Sequence, residues 1–195
     1  AATDPQAPAA FHLIVDDWID FSGSKFYAEG AKAYFEEKGC MLDVHVADRD
    51  LYNELVIIRA LQKKGDSHIL VAPAMSEWAA GEFNRLIADG MRFTFLDRRP
   101  LGVTGDMAEA DNVEGMRLLC EHLIGLGHRR ILFLGQQPMI LSSERGRLEG
   151  YKAALAAHNL DIREEDIIQS RDYLDILRQR LGREDIPTAV AAVND

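Results

Sequence analysis

Residues 41–73, MLDVHVADRDLYNELVIIRALQKKGDSHILVAP, contain the repeating unit of this chain. MLDVHVA (41–47) alternates as a β-strand does. LYNELVIIRALQKKG (51–65) has apolar residues at helical spacing and ends at a glycine, and HILVAP (68–73) is a second strand closed by proline. A strand–helix–strand unit of this length predicts two parallel strands joined by a packed helix.

The same alternation continues on both sides of this unit. Upstream, a strand is predicted over 11–16 and a helix over 24–39. Downstream, helices are predicted over 76–90 (with Ser76 as N-cap), 112–127, 143–160 and 173–182, and strands over 92–97, 129–135, 166–170 and 188–195. Seven apolar strands and six helices in alternation predict an α/β fold in which parallel sheets are covered by helices on both faces.

The connection over 98–110 is longer than the others, so we expect two α/β lobes, 11–110 and 111–195. Residues 1–10 are small, polar and proline-bearing, which is typical of a linker or a cut end. The chain ends on a strand with no helix after it, and we therefore expect the second lobe to be incomplete.

The bulk composition excludes some classes of function. The net charge is −10 and the pI about 5.1, and an acidic surface of this kind repels nucleic-acid phosphates. Cys40 and Cys120 lie far apart and form no CxxC pair, so we expect two reduced core thiols. The sequence has no bilayer-length apolar run and no visible signal peptide, which favours a cytoplasmic location, although a processed exported protein stays open.

Ligands of parallel α/β sheets bind at the carboxyl ends of the strands. In this chain those ends are rich in carboxylates, amides and guanidinium groups, with some aromatics, which suits a polyhydroxylated ligand. The simpler alternative is that these polar loop ends are only solvated. The strand-end residues are Asp16, Asp17, Asp48, Arg49, Pro73, Ala74, Asp97, Arg98, Gln136, Gln137, Arg171, Asp172, Tyr173, Asn194 and Asp195.

Motifs of common enzymes are missing from the sequence. It contains no GxGxxG opening a helix after the first strand, no GxxxxGK[ST] and no GxSxG. Asp16 and Asp17 are adjacent on a strand and point in opposite directions, so they do not form an acid/base pair. His122 and His128 are six residues apart and do not share a helix face. We therefore expect no enzymatic activity, no cofactor and no bound metal.

Several motifs in order resemble the LacI/GalR family of transcriptional regulators. They are TFLDRR (94–99), DNVEG (111–115), EHLIGLGHRRILFLG (121–135), SERGRLEGYKAAL (143–155) and PTAVAAVND (187–195). The first strand departs from the family pattern, because His12 stands near a position where the family has glycine. The resemblance implies a two-lobed periplasmic-binding-protein-like fold that closes on a small, sugar-like effector. It also implies a homodimer, and DNA binding only through a preceding helix-turn-helix domain that is absent from this chain.

The resemblance also implies a set of effector-binding residues. Arg147 falls on the family's effector-binding arginine, and the other positions are Asp16, Phe26, Tyr27, Asp97, Ser143, Tyr173 and Asn194. Each has a structural alternative: Phe26 and Tyr27 as core residues, Arg147 as an ion-pair partner of Glu144, and Asp97 as a hydrogen-bond partner of the loop over 98–105. Leu141 stands where some purine-responsive relatives have a polar residue, which favours a sugar over a nucleobase.

Three other classes of protein remain open on the sequence alone. One is the exported sugar-binding protein of an ABC transporter, which has the same fold. Another is a regulator that carries this effector domain behind a winged-helix head. The third is a flavodoxin-like or sugar-modifying enzyme. The sequence encoded upstream would separate the first two, and turnover of a bound ligand would support the third.

Overall fold

The computed structural model describes residues 10–18, 23–135, 139–170, 173–181 and 186–194. The chain divides into two compact units, residues 1–108 and 109–195, which we call unit 1 and unit 2. Each unit has a parallel β-sheet with helices packed on it. Within the described ranges, no helix is both long enough and apolar enough to cross a membrane.

Unit 1 contains a five-stranded parallel sheet in the order β2-β1-β3-β4-β5. Its elements are β1 (Ala10–Val15), α1 (Gly23–Glu37), β2 (Met41–Val46), α2 (Leu51–Lys64), β3 (His68–Val71), α3 (Ala79–Ala88), β4 (Arg92–Leu96) and β5 (Asp106–Ala108). Helix α2 shows how the sequence sets its bounds. Asp50 accepts from the backbone N–H groups of Tyr52 (2.6 Å) and Asn53 (3.1 Å), and Gly65 ends the helix at φ 102°.

The two faces of this sheet pack against different helices. On one face, Ile58 of α2 and Phe83 of α3 pack in a core with Phe95 of β4, and all three are fully buried. On the other face, Ala28 of α1 packs with Leu13 of β1. Because the connections leave β1 and β3 toward opposite faces, the chain reverses direction between these two strands, and ligands of open α/β sheets bind at the carboxyl ends of strands at such a point.

Unit 2 has a three-stranded parallel sheet in the order β7-β6-β8. Its elements are α4 (Asn112–Gly125), β6 (Ile131–Gly135), α5 (Ser142–Ala157), a 3₁₀ turn (Glu164–Asp166), β7 (Ile167–Gln169), α6 (Tyr173–Leu181) and β8 (Ala189–Ala192). The core is formed by the fully buried side chains of Cys120, Phe133 and Tyr151 with their neighbours. The Tyr151 hydroxyl donates to the Ile131 carbonyl at 2.8 Å, which satisfies its one buried polar group.

Helices α4 and α5 approach each other closely at Gly150. A Cβ built on this residue would lie 2.1 Å from the Val113 carbonyl oxygen, so no larger residue fits without moving α4. Gly146, one turn earlier, faces the Asn112 side chain. The pair of glycines thus brings the start of α4 against the part of α5 that carries Arg147, and this sets the geometry of the site in unit 2.

Two details of the predicted elements are wrong. The loop predicted over 98–110 contains β5, which pairs in parallel with β4 through Thr94 and Asp106. This strand has only three residues, Asp-Met-Ala, which is too short a segment to show a strand pattern. Ser76 does not cap α3, because the helix begins at Ala79 after Trp78. The Ser76 hydroxyl accepts from the Trp78 backbone N–H at 3.3 Å in the preceding turn.

Candidate functional site

Arg98 is the centre of the carboxyl edge of the unit 1 sheet. Its Nη2 donates to Asp16, its Nη1 to Asp97 at 3.1 Å, and its Nε to the Pro73 carbonyl at 3.1 Å. Asp16 also accepts from the Ser24 hydroxyl at the start of α1. The ends of β1, β3 and β4 are therefore joined by one guanidinium, and we call Asp16, Tyr27, Asp97 and Arg98 the unit 1 edge.

The charges of this edge are largely paired. The Asp16 and Arg98 side chains are only 12% and 16% exposed, which strengthens their interaction relative to a surface pair. A second pair lies beside them, in which Arg49 Nε donates to Asp17 at 2.8 Å, and this bond raises the pKa of Arg49. Asp16 and Asp17 thus bond to different arginines, as their opposite directions on the chain predict.

Backbone strain is concentrated at the same edge. Among the described residues other than glycine, four have a positive φ, and three of them lie within three residues of the end of β2 or β4: Asp48 (54°), Arg49 (59°) and Asp97 (66°). Such conformations cost free energy and persist where the surrounding contacts enforce them, often at binding sites. The strain therefore supports a functional role for this edge.

The two aromatic residues predicted to cover a ligand lie on the surface of α1. Phe26 is 59% exposed and Tyr27 is 37% exposed, so the alternative that they are core residues is wrong. The Tyr27 hydroxyl donates to Asp97 at 3.0 Å, which links the start of α1 to the end of β4. Asp97 is thus held by Tyr27 and Arg98, and not only by its own loop.

Arg147 is the corresponding residue of unit 2. Its Nε donates to the Asn112 side-chain oxygen at 2.9 Å, and its Nη1 donates to the Asn194 side-chain oxygen at 2.9 Å and to the Val193 carbonyl. It therefore joins the starts of α4 and α5 to the carboxyl end of β8. We call Asn112, Arg147 and Asn194 the unit 2 edge.

The other predicted residues of unit 2 lie near the starts of their helices. Ser143, one turn before Arg147, is 5% exposed, and Tyr173 begins α6 and is 38% exposed. Both helix starts follow strands of the same sheet, β6 and β7. Leu141 is only 2% exposed, and its side chain packs in the protein. Gln136, Gln137, Arg171, Asp172 and Asp195 lie outside the described residues.

The sequence-based prediction gave no role to Asn112 and Glu54, and it named Arg98 only as one of many strand-end residues. Arg98 and Asn112 lie inside the family-like motifs DRR and DNVEG, and their place in these motifs could have indicated a role in the site. Glu54 is a fully buried carboxyl group on α2. The sequence contained a sign of this burial. Glu54 is spaced four and seven residues from Ile58 and Leu61, which places it on the apolar face of the helix.

The parallel sheets flanked by helices define the class of protein, a periplasmic-binding-protein-like α/β fold. A family model described as "Periplasmic binding protein-like domain" matches residues 120–195. Among solved structures, a putative ribose operon repressor from Burkholderia thailandensis has a TM-score of 0.78 and 25% identity, covering 95% of this chain and 68% of its own. A LacI family transcriptional regulator from Mycobacterium smegmatis has a TM-score of 0.78 and 21% identity, covering 93% and 67%.

Sequence comparison leads to the same kind of protein. The probable HTH-type transcriptional regulator EndR from Paenibacillus polymyxa is 27% identical over 183 residues, which is 88% of this chain and 52% of EndR. The chain thus spans about half the length of the curated relatives that match most of it. Together these matches agree with the resemblance seen in the sequence: over most of its length the chain is similar to part of HTH-type and LacI-type transcriptional regulators.

Proposed function

We propose that this chain senses a small, sugar-like effector for a LacI-type transcriptional regulator. The observation that carries the proposal is the bonding of Arg147. The acceptors that hold its guanidinium, on Asn112, Val193 and Asn194, are all neutral oxygens, and Nη2 has no partner among the described residues. The Arg147 guanidinium is half-buried at the carboxyl end of a parallel sheet and has a donor group, Nη2, that can bond to a ligand. It is therefore suited to bind a ligand oxygen.

The chemistry of the unit 1 edge favours a polyhydroxylated ligand. Carboxylate oxygens of Asp97 accept hydrogen bonds from hydroxyl groups, and the exposed rings of Phe26 and Tyr27 offer apolar faces. The carboxylates suit the hydroxyl groups of a sugar, and the aromatic rings suit the apolar face of its ring. We propose Asp16, Phe26, Tyr27, Asp97, Ser143, Arg147, Tyr173 and Asn194 as the effector-binding set, with Asp16 acting through Arg98.

The proposed mechanism is ligand-dependent closure of the two lobes, 11–110 and 111–195. An effector that contacts both lobes favours the closed arrangement by its differential affinity for it. In the whole protein this change would alter the geometry of attached DNA-binding domains. The matched relatives are HTH-type regulators, which favours this mechanism over transport by an exported sugar-binding protein.

The proposal extends to the whole regulator. DNA binding is assigned to a helix-turn-helix domain, since the net charge of −10 disfavours direct contact between this chain and DNA. We further propose a cytoplasmic homodimer, because palindromic operators need two DNA-binding heads. The domain itself is proposed to bind its effector without catalysing a reaction.

A thermal-shift screen with sugars, sugar phosphates and purines tests this function. A ligand that binds only the native state raises the melting temperature, and at about 100 times its Kd it stabilises by about 2.7 kcal/mol. We expect a sugar to give the largest shift, Arg147→Ala to abolish it, and Arg145→Ala to retain it. Arg145 is the matched control because it lies on the same helix, exposed and paired with Glu149. A full shift in the Arg147→Ala variant would contradict the proposal.

A further inference from the structure

Glu54 is a carboxyl group inside the core of unit 1. Its side chain is fully buried, on the same face of α2 as Ile58 and Leu61. One oxygen, Oε2, accepts from the Ala74 backbone N–H at 2.6 Å. The other, Oε1, has no hydrogen-bond partner within the described part of the chain. A buried acid with a single bond is costly, so its retention needs a reason beyond packing.

The residue next to Ala74 connects Glu54 to the unit 1 edge. The Pro73 carbonyl accepts from Arg98 Nε at 3.1 Å, while Nη1 and Nη2 of the same guanidinium donate to Asp97 and Asp16. The guanidinium is planar, so fixing the Pro73 carbonyl fixes the plane in which Arg98 meets both carboxylates. Glu54 fixes that carbonyl by holding the neighbouring N–H.

The neutral acid is the form of Glu54 that suits this position near neutral pH. Burial raises the pKa of Glu54 to about 8, and the nearby negative charge of Asp16 adds to the increase. The Ala74 N–H and the positive charge of Arg98 act in the opposite direction. A neutral acid still accepts from Ala74 through one oxygen, and it avoids placing another full negative charge beside Asp16.

We propose that Glu54 is a positioning residue that orients Arg98 for effector recognition, acting through the backbone of Pro73 and Ala74 without contacting the effector. The proposal rests on the function proposed above, and it adds a residue that supports the site from the core. If Glu54 only fills space in the core, any side chain of similar volume can replace it. A positioning role requires an oxygen that accepts from Ala74, and this difference separates the two.

The test compares Glu54→Gln with Glu54→Met by NMR of the whole 195-residue chain without any ligand. The Arg98 Nε–H resonance is assigned by its loss in Arg98→Lys. We expect Glu54→Gln to keep this resonance and its slow hydrogen exchange, because glutamine retains the acceptor. We expect Glu54→Met to shift it and to accelerate exchange about tenfold, the equivalent of one hydrogen bond of about 1.4 kcal/mol. A folded Glu54→Met with the wild-type resonance and exchange rate would overturn the proposal.

A pH titration of the wild-type chain serves if Glu54→Met does not fold. The charged groups that act on Glu54 are Asp16 and Arg98, and Ala74 donates to it. Ionisation of Glu54 should move the Ala74 amide and the Arg98 Nε–H resonances together, with a midpoint near pH 8, and Glu54→Gln should abolish both movements. An Arg98 resonance that stays fixed while the Ala74 amide titrates would refute the coupling. Because no effector is used, this failure is distinct from a failure of the thermal-shift screen.

Discussion

The edges of the two sheets hold their arginines in different ways. In unit 1, Arg98 donates to the carboxylates of Asp16 and Asp97, so its charge is compensated inside the protein. In unit 2, Arg147 is held by amide and peptide oxygens of Asn112, Val193 and Asn194, which orient it without neutralising it. Both arginines join the ends of several elements, and only one keeps its full charge for a ligand.

This difference indicates two roles for an arginine at a binding site, one structural and one in binding the ligand. Arg98 behaves as part of the framework, because removing either carboxylate leaves a mostly buried charge with one partner in place of two. Arg147 is pre-oriented by neutral groups, and a ligand oxygen gains a charge-assisted bond that no protein carboxylate competes for. We therefore expect that removing a carboxylate partner of Arg98 lowers stability as well as binding, while changing a partner of Arg147 acts mainly on affinity for the effector.

The largest expected effect is that of Asp16→Ala on stability. This change leaves Arg98, 16% exposed, facing Asp97 alone, and breaking a buried pair in this way costs about 3–5 kcal/mol. Both tryptophans of the chain, Trp18 and Trp78, lie in unit 1, so urea unfolding followed by tryptophan fluorescence reports on it. The control, Asp43→Ala, removes a carboxylate that is 52% exposed and should cost about 0.5 kcal/mol. Equal costs for the two variants would contradict the framework role.

Gly150→Ala should disturb the placement of Arg147 by moving α4. The added Cβ would lie 2.1 Å from the Val113 carbonyl, and overpacking of this kind costs about 1–3 kcal/mol. Gly115→Ala on α4 is the matched control, because its Cβ would meet open space and it should stabilise by about 0.5–1 kcal/mol. Thermal unfolding followed by circular dichroism measures both. A stable Gly150→Ala would show that the helices do not pack as described.

Asn112→Asp would convert the unit 2 edge to the charge-paired pattern of unit 1. Aspartate at the first position of α4 is compatible with the helix, and it would form an ion pair with Arg147. We expect stability to be retained while affinity for the effector from the screen falls about tenfold, because the new carboxylate competes with the ligand. Isothermal titration calorimetry measures the affinity, and an unchanged Kd would show that the charge of Arg147 does not contribute to binding.

Tyr27→Phe tests the smallest contact of the unit 1 edge. It removes the hydroxyl that donates to Asp97 at 3.0 Å and keeps the ring, so it should cost about 0.5–1.5 kcal/mol of stability. Tyr52→Phe is the control, since Tyr52 is 74% exposed on α2. Urea unfolding resolves the two variants. A cost at Tyr52 equal to that at Tyr27 would remove the assigned role of the hydroxyl.

The fold was predictable because strand and helix patterns repeat over most of the chain. Phe95 and Ile58 lie on apolar faces with clear periods, and glycine or proline marks the ends of elements such as α2. β5 was missed because it has only three residues, of which Met107 alone packs against the core, and it is defined by its backbone pairing with β4. Such a strand depends on tertiary context, which a local pattern does not contain.

The site was predictable in part. The motif around Arg147 indicated the residue itself, but its partners Asn112 and Asn194 lie 35 and 47 residues away, and only the fold brings them together. Asp16 was predicted as a direct ligand contact, while its described bonds are to Ser24 and Arg98. A sequence indicates which polar groups lie at strand ends, and it does not indicate which of them bond to one another.

Hydrogen–deuterium exchange with the sugar that gives the largest thermal shift tests the central claim most directly. We expect protection in both sheets at their carboxyl ends: around Asp16 and Asp97 in unit 1, and around Arg147 and Asn194 in unit 2. We also expect Arg147→Ala to lose this protection and Arg145→Ala to keep it. Protection confined to the opposite ends of the strands, or equal protection in the Arg147→Ala variant, would contradict the account.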